Sequence, residues 1–346
     1  MCAKGPEAGR SAQGSIRYAW AGPSIDGALW GMAQGDVDGD GAVETVLLAR
    51  RRILVGRIGD AGFEQAFECR WGPAADAARV SLVDLDGDAR LEAAISAVEE
   101  GMPSSLVLGI DMAARSCSEI ATRVRRSLRA VELFDDAGAP RRALAGQGWS
   151  PAEFFSGAVR ELALSKGKLA PGPRISLPRH TGLFQFAMLP PRDGAERCAV
   201  LRGPAHMEVH AAAGRGRWKR VWRSGERLGG SANFLPAEQR PALDQVASEL
   251  AVFDMSPVAL GDSILAVKAD MPAHDIVGTA PYVRGAEAVE FAPDPALGYV
   301  EGRRTQWISG AAVELMADPA GLTMLVQESA GAFGTPDSTR PFRFDL

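Results

Sequence analysis

Two acidic loops of one form stand 48 residues apart and set the period of the chain. Gln34-Gly35-Asp36-Val37-Asp38-Gly39-Asp40 repeats as Leu82-Val83-Asp84-Leu85-Asp86-Gly87-Asp88. The likeness runs outward. Each loop ends on a glutamate, Glu44 or Glu92, and opens into an apolar stretch, residues 45–48 or 93–96. Each follows a run that closes on tryptophan, Trp20 or Trp71. A period near 50 residues with about four short strands per unit is the pattern of a β-propeller blade.

Weaker copies continue the period. Apolar runs that open a unit begin near Met32, Val80, Ala130, Phe184, Ala251 and Ala312. They alternate with period two and are divided by Gly, Pro and Asp clusters, which reads as strands and turns. In the first unit the strands are expected at 32–35, 44–49, 52–57 and 63–70. Long stripes of helical period are nearly absent, and the best helical candidate is 237–250. The expected fold is all-β: one β-propeller domain over residues 15–346, of six four-stranded blades with seven as the alternative, behind a disordered leader at 1–14. Residues 15–20 have the character of an outer blade strand but precede the first unit, while the last unit, 311–327, lacks one. The N-terminal strand is therefore expected to complete the last blade, which removes open sheet edges.

Composition narrows the function classes. The 346 residues are 46% hydrophobic and 23% charged, an ordinary globular balance that excludes disorder and collagen. No apolar run approaches the ~18 residues of a membrane-spanning helix. The formal charge of −5 argues against nucleic acid or anionic lipid as a broad partner. The N-terminus shows no apolar signal region. Cys2 directly after Met1 would suit a lipid anchor, but a plain leader residue is the favoured reading. Cys69, Cys117 and Cys198 complete the four cysteines, with no CxxC among them. Cys69 and Cys117 fall in alternating apolar segments and read as buried free thiols. A disulfide stays open, because sequence cannot establish one.

The loops themselves suggest a metal. Asp36, Asp38, Asp40 and Glu44 hold positions 1, 3, 5 and 9 of one loop, and Asp84, Asp86, Asp88 and Glu92 hold them in the other. Alternate side chains of a tight turn converge, and Gly39 and Gly87 let the backbone fold inward. Oxygen-only ligands at this density suit a hard cation, above all Ca²⁺. Carbonyls at position 7, Ala42 and Arg90, would add a ligand each. An EF-hand is disfavoured, since it needs its glutamate at position 12 and flanking helices. Later units keep turns without the ligand set: Asp135-Asp136, Asp193-Gly194 and Asp318-Pro319. Two Ca²⁺ sites are expected, not six.

The motifs GDVDGDGAVE and VDLDGDARLE resemble the FG-GAP/VCBS repeat family, whose propellers also occur in integrin α chains. Weaker similarity to bacterial VCBS-repeat proteins runs from about Ser15 through segments such as 156–162, 171–173 and 177–187. The resemblance implies a Ca²⁺-stabilised propeller outside the cytoplasm (periplasmic, at the cell surface or secreted), used for structure or recognition. It places the metal ligands on the eight acidic residues above.

Other clusters read as structural. His206, Glu208 and His210 would share one strand face with the histidines about 13 Å apart, too far to hold one metal together. They read as hydrogen-bonded strand residues. Trp218, Arg220 and Trp222 would share a face of an outer strand, packing between blades. No GxSxG, P-loop or dinucleotide fingerprint occurs. The expected function is non-enzymatic: a calcium-binding recognition or scaffold module for a protein or glycan partner. A propeller hydrolase or lyase acting on polysaccharide is the alternative, and glycan binding through an open Trp218 or Trp222 is a third.

Overall fold

The computed structural model describes residues 15–59, 62–72, 74–135, 137–150, 153–165, 167–203, 205–230, 234–236, 250–270, 283–318, 321–329 and 336–345. The leader 1–14, Cys2 and the helical candidate 237–250, apart from Leu250, lie outside them. Among the described residues every regular element is a strand. They form six antiparallel four-stranded blades, so the fold is the expected six-bladed β-propeller.

Blade 1 runs outward as Leu29–Gly35, Glu44–Ala49, Arg52–Gly59 and Gly62–Arg70. Its second strand is buried on both faces, which is why 46–48 reads as a continuous apolar run. Its outer strand buries Phe67 and Cys69 and exposes Glu64, Gln65 and Arg70. Blade 2 is Asp76–Val83, Glu92–Glu99, Ser105–Asp111 and Ser116–Val124, with Met102–Pro103 added beside the second strand. Blade 3 is Ser127–Phe134, Pro140–Ser150, Glu153–Ser165 and Lys168–Arg174. Blade 4 is Phe186–Arg192, Ala195–Val200, Ala205–Ala212 and Trp218–Leu228.

Blade 5 departs from expectation. Ala251 does not open it. It lies in Leu250–Val252, which pairs with Phe234–Pro236 as a separate ribbon. The inner strand is Val258–Leu260, followed by Ser263–Asp270, Gly285–Asp294 and Gly298–Thr305. An apolar run of strand character at 250–252 mimics a blade opening but is consumed by a local hairpin.

The ring closes as the ends of the sequence suggest. Ala311–Asp318, Gly321–Ser329 and Pro336–Phe344 make three strands of blade 6, and Tyr18–Ala21 supplies the outer one, with Tyr18 opposite Phe344. Ser15–Ile16 pairs in parallel with the outer strand of blade 5. The N-terminal segment thus bridges two blades. Apolar faces of successive blades fill the core: Val46, Leu48, Ile53 and Val55 of blade 1 meet Val80, Leu82 and Ile95 of blade 2.

Cys69 and Cys117 are not free thiols. They form a disulfide, with their Cα atoms 6.0 Å apart, joining the outer strand of blade 1 to that of blade 2. Alternation gave each an apolar surrounding, and the neighbouring blade supplies the partner. Cys198 is the free cysteine of the described residues, and burial pushes its thiol pKa up.

Candidate metal centre

Both acidic loops connect the inner and second strands of their blades and sit side by side. Leu91 N–H donates to Val37 O across the gap (3.4 Å). The backbone folds as the repeat demands: Gly39 and Gly87 take φ of 78° and 82°, the left-handed region that glycine occupies without cost. Two residues on, Gly41 (φ 86°) is matched by Ala89 (φ 69°), so the second loop holds a side-chain-bearing residue in a conformation costly for it.

The hydrogen bonds repeat with the sequence. Asp36 accepts from the Gly39 and Gly41 amides at 2.7 and 2.9 Å, and Asp84 accepts from Gly87 and Ala89 at 2.7 and 3.0 Å. Asp40 accepts from Ala42 (2.7 Å) and Asp88 from Arg90 (2.8 Å), so Ala42 and Arg90 enter the loops through their amides. Glu44 accepts from Val37 (3.0 Å) and Glu92 from Leu85 (2.8 Å), pinning each loop back to its start. Asp38 and Asp86 complete the turns by accepting from Asp40 and Asp88. Each carboxylate oxygen has two lone pairs, so these bonds leave capacity for a cation.

The structure gathers Asp36, Asp38, Asp40 and Glu44, one oxygen of each lying within 4.8 Å of the others. In the second loop Asp84, Asp86 and Asp88 meet the same measure. Glu92 stands outside that group. The donor sets fit a hard divalent cation in both loops, with one fewer carboxylate in the second.

The loops differ in how their charge is met. Arg57, on the third strand of blade 1, lies 2.6 Å from Glu44 and 3.1 Å from Asp40. It sits one step past the Thr45–Gly56 pair, directly across from Glu44. The equivalent place in blade 2, one step past Ala93–Leu108, belongs to Gly109. The Ala42 amide and Arg57 hold Asp40 below the usual carboxylate range. Glu92 goes the other way: burial raises it, and Asp86, Asp84 and Asp88 add repulsion. Arg57 was missed in the sequence, although hairpin register from Glu44 would have found it. A guanidinium among four ligands competes with a metal. Arg57→Gln is therefore expected to tighten calcium binding in the first loop about fivefold, read by titration with the second loop disabled through Asp86→Ala. Weaker binding would show that Arg57 supports the site.

Among the described residues, the acids that gather as a possible ligand set are those of these two loops. Asp135 accepts from Ala137 and Ala139, and Asp193-Gly194 is a tight hairpin with φ of 53° and 73°. Asp136, Pro319 and Ala320 lie outside the described residues.

The histidine strand is hydrogen-bonded, as expected. His206 contacts Ser224 O (2.9 Å), and His210 contacts Glu208 (3.0 Å). Glu208 also binds Arg220 and Arg202; these partners outweigh burial and hold its pKa down at about 2. Trp218 and Trp222 do not share a face. A bulge at Val221, between Arg220 and Trp222, places Arg220 opposite His210 and reverses the alternation between the two tryptophans. Trp222 packs on Phe291 and Tyr299 of blade 5, while Trp218 packs toward blade 3 and donates to Ser176. Neither stands in the open, so glycan stacking on them loses its basis.

The central channel holds charged side chains that local motifs do not reveal. Arg79 of blade 2 is buried and donates to Val313 O and Phe253 O, and it pairs with Glu314 of blade 6 at 3.3 Å. Burial raises the pKa of both Glu314 and Asp254, and Asp254 accepts from Gln185 (2.8 Å). No protein-family model matches this chain. No curated protein matches it significantly.

Proposed function

We propose that the chain is a calcium-binding propeller of the FG-GAP/VCBS kind, serving as a non-enzymatic recognition or scaffold module for a protein or glycan partner outside the cytoplasm. The observation that carries the metal is the twofold loop geometry: seven carboxylates in two compact groups, with one hydrogen-bond pattern repeated in both. The Cys69–Cys117 disulfide supports an oxidising compartment. A rigid ring with variable loops supports recognition. No helix among the described residues is long and apolar enough to cross a membrane.

Calorimetric titration tests the reading. Ca²⁺ added to chelator-stripped protein is expected to bind at two equivalents, with affinity on the order of 10⁻⁴ M. The Asp38→Ala/Asp86→Ala variant is expected to lose both. At tenfold over Kd each site adds about 1.4 kcal/mol of stability. Absence of binding heat, with equal melting temperatures in Ca²⁺ and chelator, overturns the calcium reading.

One observation favours the polysaccharide hydrolase or lyase: the channel is charged, and Asp254 and Glu314 both have raised pKa values. Both carboxylates already have protein partners, which favours the non-enzymatic reading. Release of reducing ends that disappears in Asp254→Asn would reverse that preference.

A further inference from the structure

Blade 3 presents two cations to the channel for which the described residues provide no ion pair. Arg129, on the inner strand, donates through Nη1 to Leu183 O (2.8 Å) and Phe186 O (2.9 Å), and its guanidinium lies 5.3 Å from the centre of the Phe186 ring. Those bonds leave Nη2 and Nε for another acceptor. Arg142, on the second strand, borders the same space beside the small Ala130. Both arginines line a cavity of 140 Å³ that reaches Arg79, Asp254 and Glu314. Both also line an adjoining 220 Å³ cavity bounded by Phe186, Met188 and Val258.

The acids nearby are committed or distant. Glu314 is taken by Arg79, and Asp254 by the Gln185 amide. Glu132, the cross-strand partner of Arg142, is solvent-exposed; its charge acts on Arg142 but the two form no ion pair. Three guanidiniums therefore face two engaged carboxylates. Burial, against the help of Glu314 and with repulsion from Arg79 and Arg142, brings Arg129 down to about 10. Arg129 is part-buried, and an enclosed cation without an ion-pair partner is costly, while Arg142 stands exposed at the rim of the cavity. A guanidinium offers forked N–H donors that match a planar or tetrahedral oxyanion. The smaller cavity has room for about four or five waters, which suits a small ion rather than a sugar chain.

We propose that this part of the channel is a binding site for a small oxyanion of the carboxylate or phosphate type, held between the Arg129 and Arg142 guanidiniums. The site is independent of the acidic loops, which lie in the connections between strands.

The test is calorimetric titration of sodium phosphate and, separately, sodium acetate into the full chain, in chelator and at fixed ionic strength, with chloride as the reference. Saturable binding of at least one of them is expected, with a rise in melting temperature that chloride does not give. Phosphate alone points to a tetrahedral ligand, acetate alone to a carboxylate, and both to the shared guanidinium chemistry. Arg142→Gln is expected to weaken binding tenfold or more. It forms no hydrogen bond among the described residues, so the variant keeps the fold. Arg129→Lys keeps the charge, loses the fork, and is expected to weaken binding likewise. Overturning results are heats and melting shifts no larger than those of chloride, or undiminished binding in folded Arg142→Gln.

Discussion

Replacing Arg79 by Met is expected to destabilise the propeller by about 3–5 kcal/mol, the cost of leaving one member of a buried ion pair alone. Glu314 starts on blade 6 and passes the backbone of Gly31 on blade 1, where an added Cβ would stand 3.4 Å from its carboxylate. It meets Arg79 on blade 2. The pair therefore ties three blades together across the closure of the ring, and Arg79 adds bonds to the carbonyls of Val313 and Phe253. Urea denaturation measures the effect. The double change Arg79→Met/Glu314→Leu is expected to recover most of the loss, because it removes the stranded charge as well as its partner. A single variant within about 1 kcal/mol of the parent would show that water or relaxation relieves Glu314 and that the pair does not hold the ring.

Loss of the Cys69–Cys117 bond is expected to cost about 4 kcal/mol, the chain-entropy value for a loop closed over 48 residues. The bond lies on the outermost strands, where blades diverge from the axis. Cys69→Ser/Cys117→Ser and reduction of the parent are expected to shift the urea midpoint to the same extent. Agreement between them identifies the crosslink, rather than the substituted side chains, as the source. A parent whose midpoint is unmoved by full reduction would contradict the assignment.

The sequence was most readable where one blade contains the whole signal. The acidic loops and the strands of blade 1 follow from period and turn chemistry, and 44–49 matches its strand residue for residue. Blade 5 was misplaced because 250–252 has strand character without position: nothing local separates a side hairpin from an inner strand. The disulfide and the channel arginines were hidden for a common reason. Cys69 and Cys117 meet between blades, and Arg79, Arg129 and Glu314 meet across the axis, so only the geometry of the ring brings them together. Trp222 failed through one bulge, which inverted an otherwise correct alternation.

The shared last blade puts a waiting time into biosynthesis. Phe344 is synthesised 326 residues after its partner Tyr18. At about 5–20 residues per second, the early strand stays without its neighbour for roughly 15–60 s. During that interval the nascent chain has five blades' worth of apolar sequence and an unlatched ring. Until Pro336–Phe344 is made, the four-residue strand Tyr18–Ala21 has no edge to join and the ring stays open.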